Sequence, residues 1–175
     1  MVNSMQLPNT AESDREILRE YYLERNFFTS TEGVLKVLSI VVCTASSVLW
    51  LAGGGCGRGA RLAGGASVAS AAILVLLCAV DALRLAAYAP MTYFYTDIIV
   101  STCIGLWLLI SGVLSLAFCD AQRALDYAHG PLAVVNAGLV LGSAVTTYVS
   151  VIRRWDDARR QSPRAPRPSR FELDV

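Results

Sequence analysis

The hydrophobic positions of this chain fall into four long runs separated by short polar stretches. Three of the runs, residues 62–80, 98–118 and 131–152, contain no Asp, Glu, Lys, Arg or His, and the fourth, 33–51, contains only Lys36. Since a helix rises about 1.5 Å per residue, roughly 20 apolar residues cross a hydrocarbon layer of about 30 Å. A helix of a soluble bundle would show a polar face, and none of the four runs does. The pattern predicts an all-α fold, an integral membrane four-helix bundle with short loops.

The polar segments at the two ends divide the chain into three parts. We expect residues 1–28 to be a cytosolic segment, 29–155 the membrane bundle, and 156–175 a disordered, basic and proline-rich cytosolic tail. The predicted spans are about 33–52, 62–81, 97–118 and 131–152. Because a mostly polar segment precedes the first run, we expect an uncleaved anchor and not a cleaved signal peptide.

The amino-terminal segment contains the stretch SDREILREYYLERNFF, which is amphipathic at helical spacing. It places Ile17, Leu18, Tyr21 and Tyr22 on one face, opposite Arg and Glu. Such a helix is either solvated or lies on the lipid headgroups, and we expect the second arrangement.

The entry to the first span reads TSTEGVLKVLSIVV and resembles a helix start, with Thr29 as N-cap. Glu32 and Lys36 are four residues apart, as in a helical surface ion pair. We expect Lys36 to extend its ammonium to the membrane interface near Glu32. At the end of the fourth span we expect Arg153, Arg154 and Trp155 at the same interface.

The segment between the second and third runs contains further interface signals. Asp81 and Arg84 are three residues apart and are predicted to pair on a helix that ends at Pro90. The aromatic stretch YFY, residues 93–95, is predicted to lie at headgroup depth.

Composition and charge agree with the membrane interpretation and add an orientation. The chain is 54% hydrophobic and 17% charged, with a mean hydropathy of +0.48, whereas soluble domains are about a quarter charged. All but three of the 15 Lys and Arg residues fall on the side that holds both termini; the exceptions are Arg58, Arg61 and Arg123. The positive-inside rule therefore predicts cytoplasmic amino and carboxyl termini.

The residue types that catalysis requires do not come together in the sequence. The single histidine, His129, is in a predicted outer loop, and the cysteines at 43, 56, 78, 103 and 119 form no metal-binding spacing. No acidic residue or histidine is expected deep in any span, as a proton-coupled transporter would need. We expect no enzyme activity, no cofactor and no metal.

The cysteines have structural alternatives. Cys56 and Cys119 both fall on the predicted outer, oxidising side, where they either form a disulfide or remain two free thiols. Cys78 is near the cytosolic end of the second span, where it is either a palmitoylation site or a buried residue.

Small residues in the third and fourth spans predict close helix packing. Gly138 and Gly142 form a GxxxG pattern, and Gly105 and Gly112 offer similar positions in the third span. These rows face either the bundle interior, which we expect, or a second copy of the chain. Asn136 is expected to hydrogen-bond across helices, because an unpaired amide in lipid is costly.

The predicted partners are lipids and cytosolic proteins, with no nucleic acid. Tail arginines are expected to contact anionic lipid of the inner leaflet. Arg160, Pro163 and Pro166 have the spacing of a basic residue before PxxP, which suits a cytosolic adaptor.

Three stretches of the chain are similar to the MARVEL-domain proteins, a family that includes plasmolipin, the chemokine-like factor membrane proteins and singles-bar. They are FFTSTEGVLKVLSIVV at the first span, YTDIIVSTCIGLWLLISGVLSL at the third and VTTYVSVIRRWDD at the end of the fourth. The resemblance covers roughly residues 27–155. It implies a non-enzymatic tetraspan protein, in the plasma membrane or in secretory or endosomal vesicles.

That family works in vesicle trafficking, in the organisation of cholesterol-rich membrane, and in membrane apposition at junctions or fusion. The resemblance implies one of these roles for this chain. A second hypothesis is a small channel or a transporter accessory subunit, in which Asn136, Thr146 and Thr147 line a polar path.

Overall fold

The computed structural model describes residues 10–53, 57–118 and 128–161, and the regular elements within these ranges are all helices. Two of them are short 3-10 helices, Phe27–Thr29 and Leu85–Tyr88. The α-helices are α1 Thr10–Glu24, α2 Thr31–Gly53, α3 Gly57–Ala82, α4 Pro90–Phe118 and α5 His129–Gln161. Helices α2 to α5 are each long and apolar enough to cross a membrane, which agrees with the predicted number of spans.

The four long helices form a bundle in which each packs against two neighbours. α4 and α5 share the most extensive contact, α2 packs on both α5 and α3, and α3 also packs on α4. Because the connections are short, successive helices alternate in direction, and α2 starts at the end of the bundle where α3 stops and α4 begins. This end is called the α1 end below.

Helix α1 closes this end of the bundle. Its buried residues Leu18, Tyr21 and Tyr22 form a cluster with Phe94 of α4 and Val151 of α5. The amphipathic face predicted from the sequence therefore exists, but the expectation that it lies on lipid headgroups is wrong. The bundle covers that face, and burial of two tyrosine rings and a leucine removes their apolar surface from water.

Helix α2 begins one residue later than the sequence predicts. Ser30, and not Thr29, is its N-cap, since the Gly33 amide donates to Ser30 Oγ at 3.2 Å. The Thr29 hydroxyl instead donates to the Asn26 carbonyl at 3.2 Å. A short 3-10 turn precedes α2, and it shifts the chain so that Ser30 reaches the free amides of the first turn.

The connection between α3 and α4 also differs from expectation. α3 ends at Ala82, and Pro90 begins α4, whereas the sequence pattern predicts that this proline ends the preceding helix. Proline suits a first helical turn because the amide it lacks would have no partner there. Arg84 adopts a left-handed backbone conformation, with φ of 55°, so it cannot continue the helix and pair with Asp81.

Candidate functional site

Three buried ionisable residues from three different helices meet near the α1 end. Lys36 of α2 places its Nζ atom 2.7 Å from both carboxylate oxygens of Asp97 on α4. The same Nζ is 3.5 Å from Oδ2 of Asp81 on α3. All three side chains are at most 4% exposed. Burying a charge in an apolar interior is costly unless it is paired, so these contacts are what allow the three residues to be there.

The charges of this cluster do not balance. One ammonium faces two carboxylates, so the ionised cluster carries one formal negative charge. Besides the Lys36 ammonium, Asp97 accepts one long hydrogen bond, which Ser101 Oγ donates to Oδ1 at 3.4 Å. Asp81 Oδ2 accepts no hydrogen bond from the described parts of the chain. Ionisable groups in this setting are rare and are found in ion or proton pathways and in structural pairs.

A second ion pair is adjacent and joins α1 to α2. Arg25 places Nη1 2.6 Å from Glu32 Oε2, and the Tyr21 hydroxyl donates to both oxygens of the same carboxylate at 2.9 and 3.0 Å. Arg25 also donates to Ser30 Oγ at 3.1 and 3.0 Å through two of its nitrogens. The guanidinium therefore holds the helix cap and the carboxylate together, which fixes the entry to α2.

Burial and the nearby charges shift the pKa values of Arg25 and Tyr21 at the end of α1. Burial lowers the pKa of Arg25, but Glu32 and the neighbouring acidic groups outweigh it, so the net pKa is raised and the side chain stays charged. Burial raises the pKa of Tyr21 well above its ordinary value, and Glu32 adds to the effect against the opposing charge of Arg25. Tyr21 therefore acts at this site as a neutral hydrogen-bond donor.

Tyr22 of α1 packs against two other tyrosine rings at this end of the bundle. Its ring packs edge-on against Tyr21, with centroids 5.2 Å apart, and against Tyr93 of α4 at 5.5 Å. Its hydroxyl has no hydrogen-bond partner among the described residues. Burial raises the pKa of Tyr22, and the carboxylates of Asp97 and Asp81 raise it further. Tyr22 is therefore a neutral phenol in the core at this end of the bundle.

Two sequence predictions at this site are wrong. Lys36 does not extend its ammonium to an interface, because Asp97 and Asp81 bind it inside the bundle. Glu32 is buried as well and pairs with Arg25, so Glu32 and Lys36 do not form a surface pair. The helical spacing of the two residues is real, but partners from other helices offer shorter and better desolvated contacts than an i, i+4 neighbour.

Asp97 is a member of the site that the sequence pattern did not predict. The third span was expected to begin at about residue 97, with no acidic residue deep inside it, whereas α4 begins at Pro90 and encloses Asp97. A usable signal was present. Lys36, Asp81 and Asp97 all fall near the same end of their helices, and opposite charges at one depth of a bundle can meet.

Asn136 links α5 to α2, as the sequence predicts. Ser39 Oγ donates to Asn136 Oδ1 at 2.6 Å, and Asn136 Nδ2 donates to Cys43 Sγ at 2.6 Å. All three residues are buried. The amide is therefore satisfied by protein on both sides and does not line an open polar path.

The glycines of α4 and α5 that were predicted to pack separate into two groups. A Cβ on Gly105 would come within 2.6 Å of Leu141 Cγ, and one on Gly112 within 3.0 Å of the Gly130 carbonyl oxygen. Both therefore allow close contact between α4 and α5. A Cβ on Gly138 or Gly142 would meet nothing within 4 Å. Contrary to expectation, this GxxxG pair does not pack within the bundle, because α5 turns its other face to its neighbours.

Of the other residues predicted to lie at the membrane interface, some are exposed and others are packed in the bundle. Arg153 and Arg154 are exposed, and Arg154 Nη2 lies 3.3 Å from Glu24 Oε2. Trp155 is half-buried and packs edge-on against Phe94, with centroids 5.9 Å apart. Phe94 is itself in the core, so of the YFY stretch only Tyr95 is exposed enough for an aromatic belt.

The structure describes only one of the three cysteines for which a disulfide or a modification was considered. Cys56 and Cys119 lie outside the described residues. Cys78 is half-buried with a free thiol. Within residues 10–53, 57–118 and 128–161, no three His, Cys, Asp or Glu side chains come together as a metal site would require.

Comparison with protein-family models, with curated proteins and with solved structures finds no match for this chain. The similarity to the MARVEL-domain proteins therefore stays a prediction.

The Asn136 contacts lead to a first test. Replacing Asn136 by alanine is expected to lower the free energy of unfolding by about 1–3 kcal/mol, because the Ser39 hydroxyl loses its acceptor in a buried position. Unfolding of the purified protein by SDS in mixed micelles measures this change. Thr44→Ala is the matched control, since the exposed Thr44 hydroxyl donates only to Ile40 of its own helix. Equal losses in both variants would contradict the bond's role.

Proposed function

We propose that this chain is a four-span membrane protein, with both termini cytoplasmic, that acts without catalysis on membrane organisation, vesicle trafficking or membrane apposition and fusion. One observation carries the proposal. The bundle exposes large apolar side chains on all of its long helices and buries many hydroxyl-bearing and charged side chains beside its apolar core, unlike a protein folded in water.

The outer surface consists of large aliphatic side chains on every long helix. Representative residues more than half exposed are Val41, Leu76, Ile99, Ile110 and Val145. Monomeric proteins in water rarely expose contiguous apolar patches of more than a few hundred Å². A surface of this kind on all sides of the bundle matches lipid tails as its surroundings.

The interior consists largely of small and hydroxyl-bearing residues. Ser39, Ser70, Ser101, Ser143 and Thr147 are each at most 3% exposed. Where the surroundings are as apolar as the side chains, helices associate through close packing of small residues and through hydrogen bonds. The interior and the surface therefore support the same membrane assignment.

The functional part of the proposal rests on what the bundle presents to its surroundings. The apolar outer surface of the bundle is suited to contact with lipid. The similarity to MARVEL-domain proteins adds the proposed roles in vesicle trafficking, in organising cholesterol-rich membrane and in membrane apposition. Membrane lipids are the proposed main partners. The cytoplasmic tail is proposed to recruit an adaptor, and a second copy of the chain is a candidate partner for the outward Gly138 and Gly142 pair.

The membrane assignment and the orientation have a direct test. Alkaline carbonate should leave the chain in the membrane pellet. An epitope at either terminus should become accessible to antibody once digitonin opens the plasma membrane, and not in intact cells. Release of the chain by carbonate would contradict the membrane assignment, whereas labelling of intact cells would contradict the orientation alone.

Reconstitution tests the function itself. Liposomes that contain the purified protein should cluster or exchange lipid with one another faster than protein-free liposomes, without saturable movement of a solute. Light scattering and a solute-flux assay on the same preparation measure both. Saturable flux without clustering would overturn the proposal.

The buried charge cluster favours a second candidate, a channel or transporter accessory subunit. Lys36, Asp81 and Asp97 supply the intramembrane ionisable groups that such proteins use. The polar path suggested by the sequence receives less support, because the Thr146 and Thr147 hydroxyls both donate to the Ser143 carbonyl of their own helix. Electrophysiology with and without the chain distinguishes this candidate from the first.

A further inference from the structure

A groove runs along the α1 end between α1 and the connection from α3 to α4. Its larger part has a volume of about 310 Å³ and is lined by Arg15, Arg19, Ala87 and Tyr88 together with Glu16. An adjoining hollow of about 200 Å³ shares Arg19, Ala87 and Tyr88 and adds Arg84. The whole is called the basic groove below.

The three arginines of the basic groove are exposed and make no ion pair with any described acidic side chain. Arg15 and Arg19 are four residues apart on one helix, an arrangement in which like charges repel. Arg84 joins them from the opposite wall, and Glu16 is the one acidic side chain in the described lining; the other carboxylates of α1 lie outside that lining. An anion between the two walls would relieve this repulsion.

The backbone conformation at the end of α3 determines where Arg84 lies. Arg84 is the single residue other than glycine with positive φ in the described chain. A residue in this conformation is a common way to end a helix. Here it brings an arginine to the groove at the point where α3 stops.

The rim of the groove is apolar, which indicates the kind of anion. Leu83 and Tyr88 are 69% and 81% exposed, and Leu85 is also exposed beside them. A free phosphate ion has no apolar part that could contact the exposed leucines beside the arginines. A phospholipid has both parts, because its phosphate can bind guanidinium groups while its acyl chains contact the leucines.

We propose that the basic groove binds the phosphate headgroup of an anionic phospholipid in the cytoplasmic leaflet. The inference rests on the membrane orientation proposed above, which places the α1 end at that leaflet. Anionic lipid is concentrated there, and basic pockets at this depth are suited to such headgroups.

The test uses the full chain in nanodiscs of phosphatidylcholine, with and without phosphatidylserine or a phosphoinositide. Native mass spectrometry after release from the disc counts the lipids that stay bound. The wild type should retain the anionic lipid, and the triple variant Arg15→Gln, Arg19→Gln, Arg84→Gln should lose about tenfold or more of it, since each arginine near the surface contributes severalfold to affinity.

The matched control is the triple variant Arg58→Gln, Arg61→Gln, Arg123→Gln, which removes the same charge from the side of the membrane that the sequence predicts to face away from the cytoplasm. It should retain the lipid. A further variant, Arg15→Lys, Arg19→Lys, Arg84→Lys, keeps the positive charges and should keep part of the binding. That result would show that loss of charge, and not misfolding, explains the glutamine result.

Each outcome decides the matter. Equal loss in the control variant would overturn the groove in favour of diffuse charge. Displacement of the lipid by millimolar inorganic phosphate would show a phosphate site and not a lipid site. A chain that enters the discs yet retains no anionic lipid contradicts this inference alone, whereas a chain that does not enter them contradicts the proposed function as well.

Discussion

Replacing Lys36 by alanine is expected to lower the free energy of unfolding by about 3–5 kcal/mol, a larger loss than we expect from any other single substitution in the bundle. The substitution removes the only cation within 4.0 Å of Asp97 and Asp81 among the described residues. Two carboxylates then face each other in an apolar interior without a counter-charge. SDS unfolding of the purified protein in mixed micelles measures the change, and we expect Lys36→Ala to unfold at a lower SDS fraction than the wild type.

Two controls separate loss of the pair from loss of the lysine side chain. The triple variant Lys36→Met, Asp81→Asn, Asp97→Asn removes every charge of the cluster at similar volume and should recover stability to within about 1 kcal/mol of the wild type. Arg154→Ala breaks an exposed pair with Glu24 and should cost at most about 1 kcal/mol. If Lys36→Ala were no more harmful than Arg154→Ala, the cluster would not be a structural element.

The second large effect is expected at Gly33. A Cβ at this position would overlap the carbonyl oxygen of Phe27 and would lie 3.1 Å from Ser30 Oγ. Both groups belong to the turn that caps α2, and a backbone carbonyl cannot move aside as a flexible side chain can. We expect Gly33→Ala to cost about 1–3 kcal/mol by overpacking, although alanine is by itself the better helix former.

Other helical glycines provide the control for Gly33. A Cβ on Gly65 or Gly138 would meet nothing within 4 Å, so Gly65→Ala and Gly138→Ala should be neutral or stabilise by up to about 1 kcal/mol. The same unfolding assay compares all three variants. If Gly33→Ala were as stable as the other two variants, that result would contradict the close approach of Gly33 to the Phe27 carbonyl.

The buried charge cluster gives the transporter candidate more support than the sequence does. A transporter is disfavoured by the sequence because no acidic group is expected inside a span, and Asp97 within α4 removes that objection. The pairing of Lys36 with Asp97 links α2 and α4, two helices on opposite sides of the bundle, and therefore also suits a structural role. The liposome assay and the Lys36 variants together distinguish the roles, since a structural pair affects stability whereas an ion pathway also affects flux.

The helices themselves were predictable because their signals are local. Runs of apolar residues long enough to cross a membrane identify α2 to α5, and the spacing of Leu18, Tyr21 and Tyr22 identifies α1. Asn136 was predictable for a similar reason, because a buried amide must find a partner wherever it lies. These conclusions depend on the type and spacing of residues and not on their neighbours in space.

Partners across the bundle were not predictable in the same way. The pattern placed Lys36 beside Glu32 and Asp81 beside Arg84, whereas the folded chain pairs Lys36 with Asp97 and Glu32 with Arg25. It also could not tell which face of α5 is covered, so it assigned Gly138 to packing inside the bundle. Helix rotation and depth are set by the fit of all four helices together, and one helix's sequence contains only a part of that information.

The sequence by itself therefore determined the number, length and apolar character of the helices, because each depends on a continuous stretch of chain. Only the tertiary structure decided that α1 closes the bundle, that Lys36 is buried between two carboxylates, and that Arg15, Arg19 and Arg84 share one groove. Each of these joins residues from separate helices. Charges find partners according to distance in space and to desolvation, and neither quantity exists until the helices have packed.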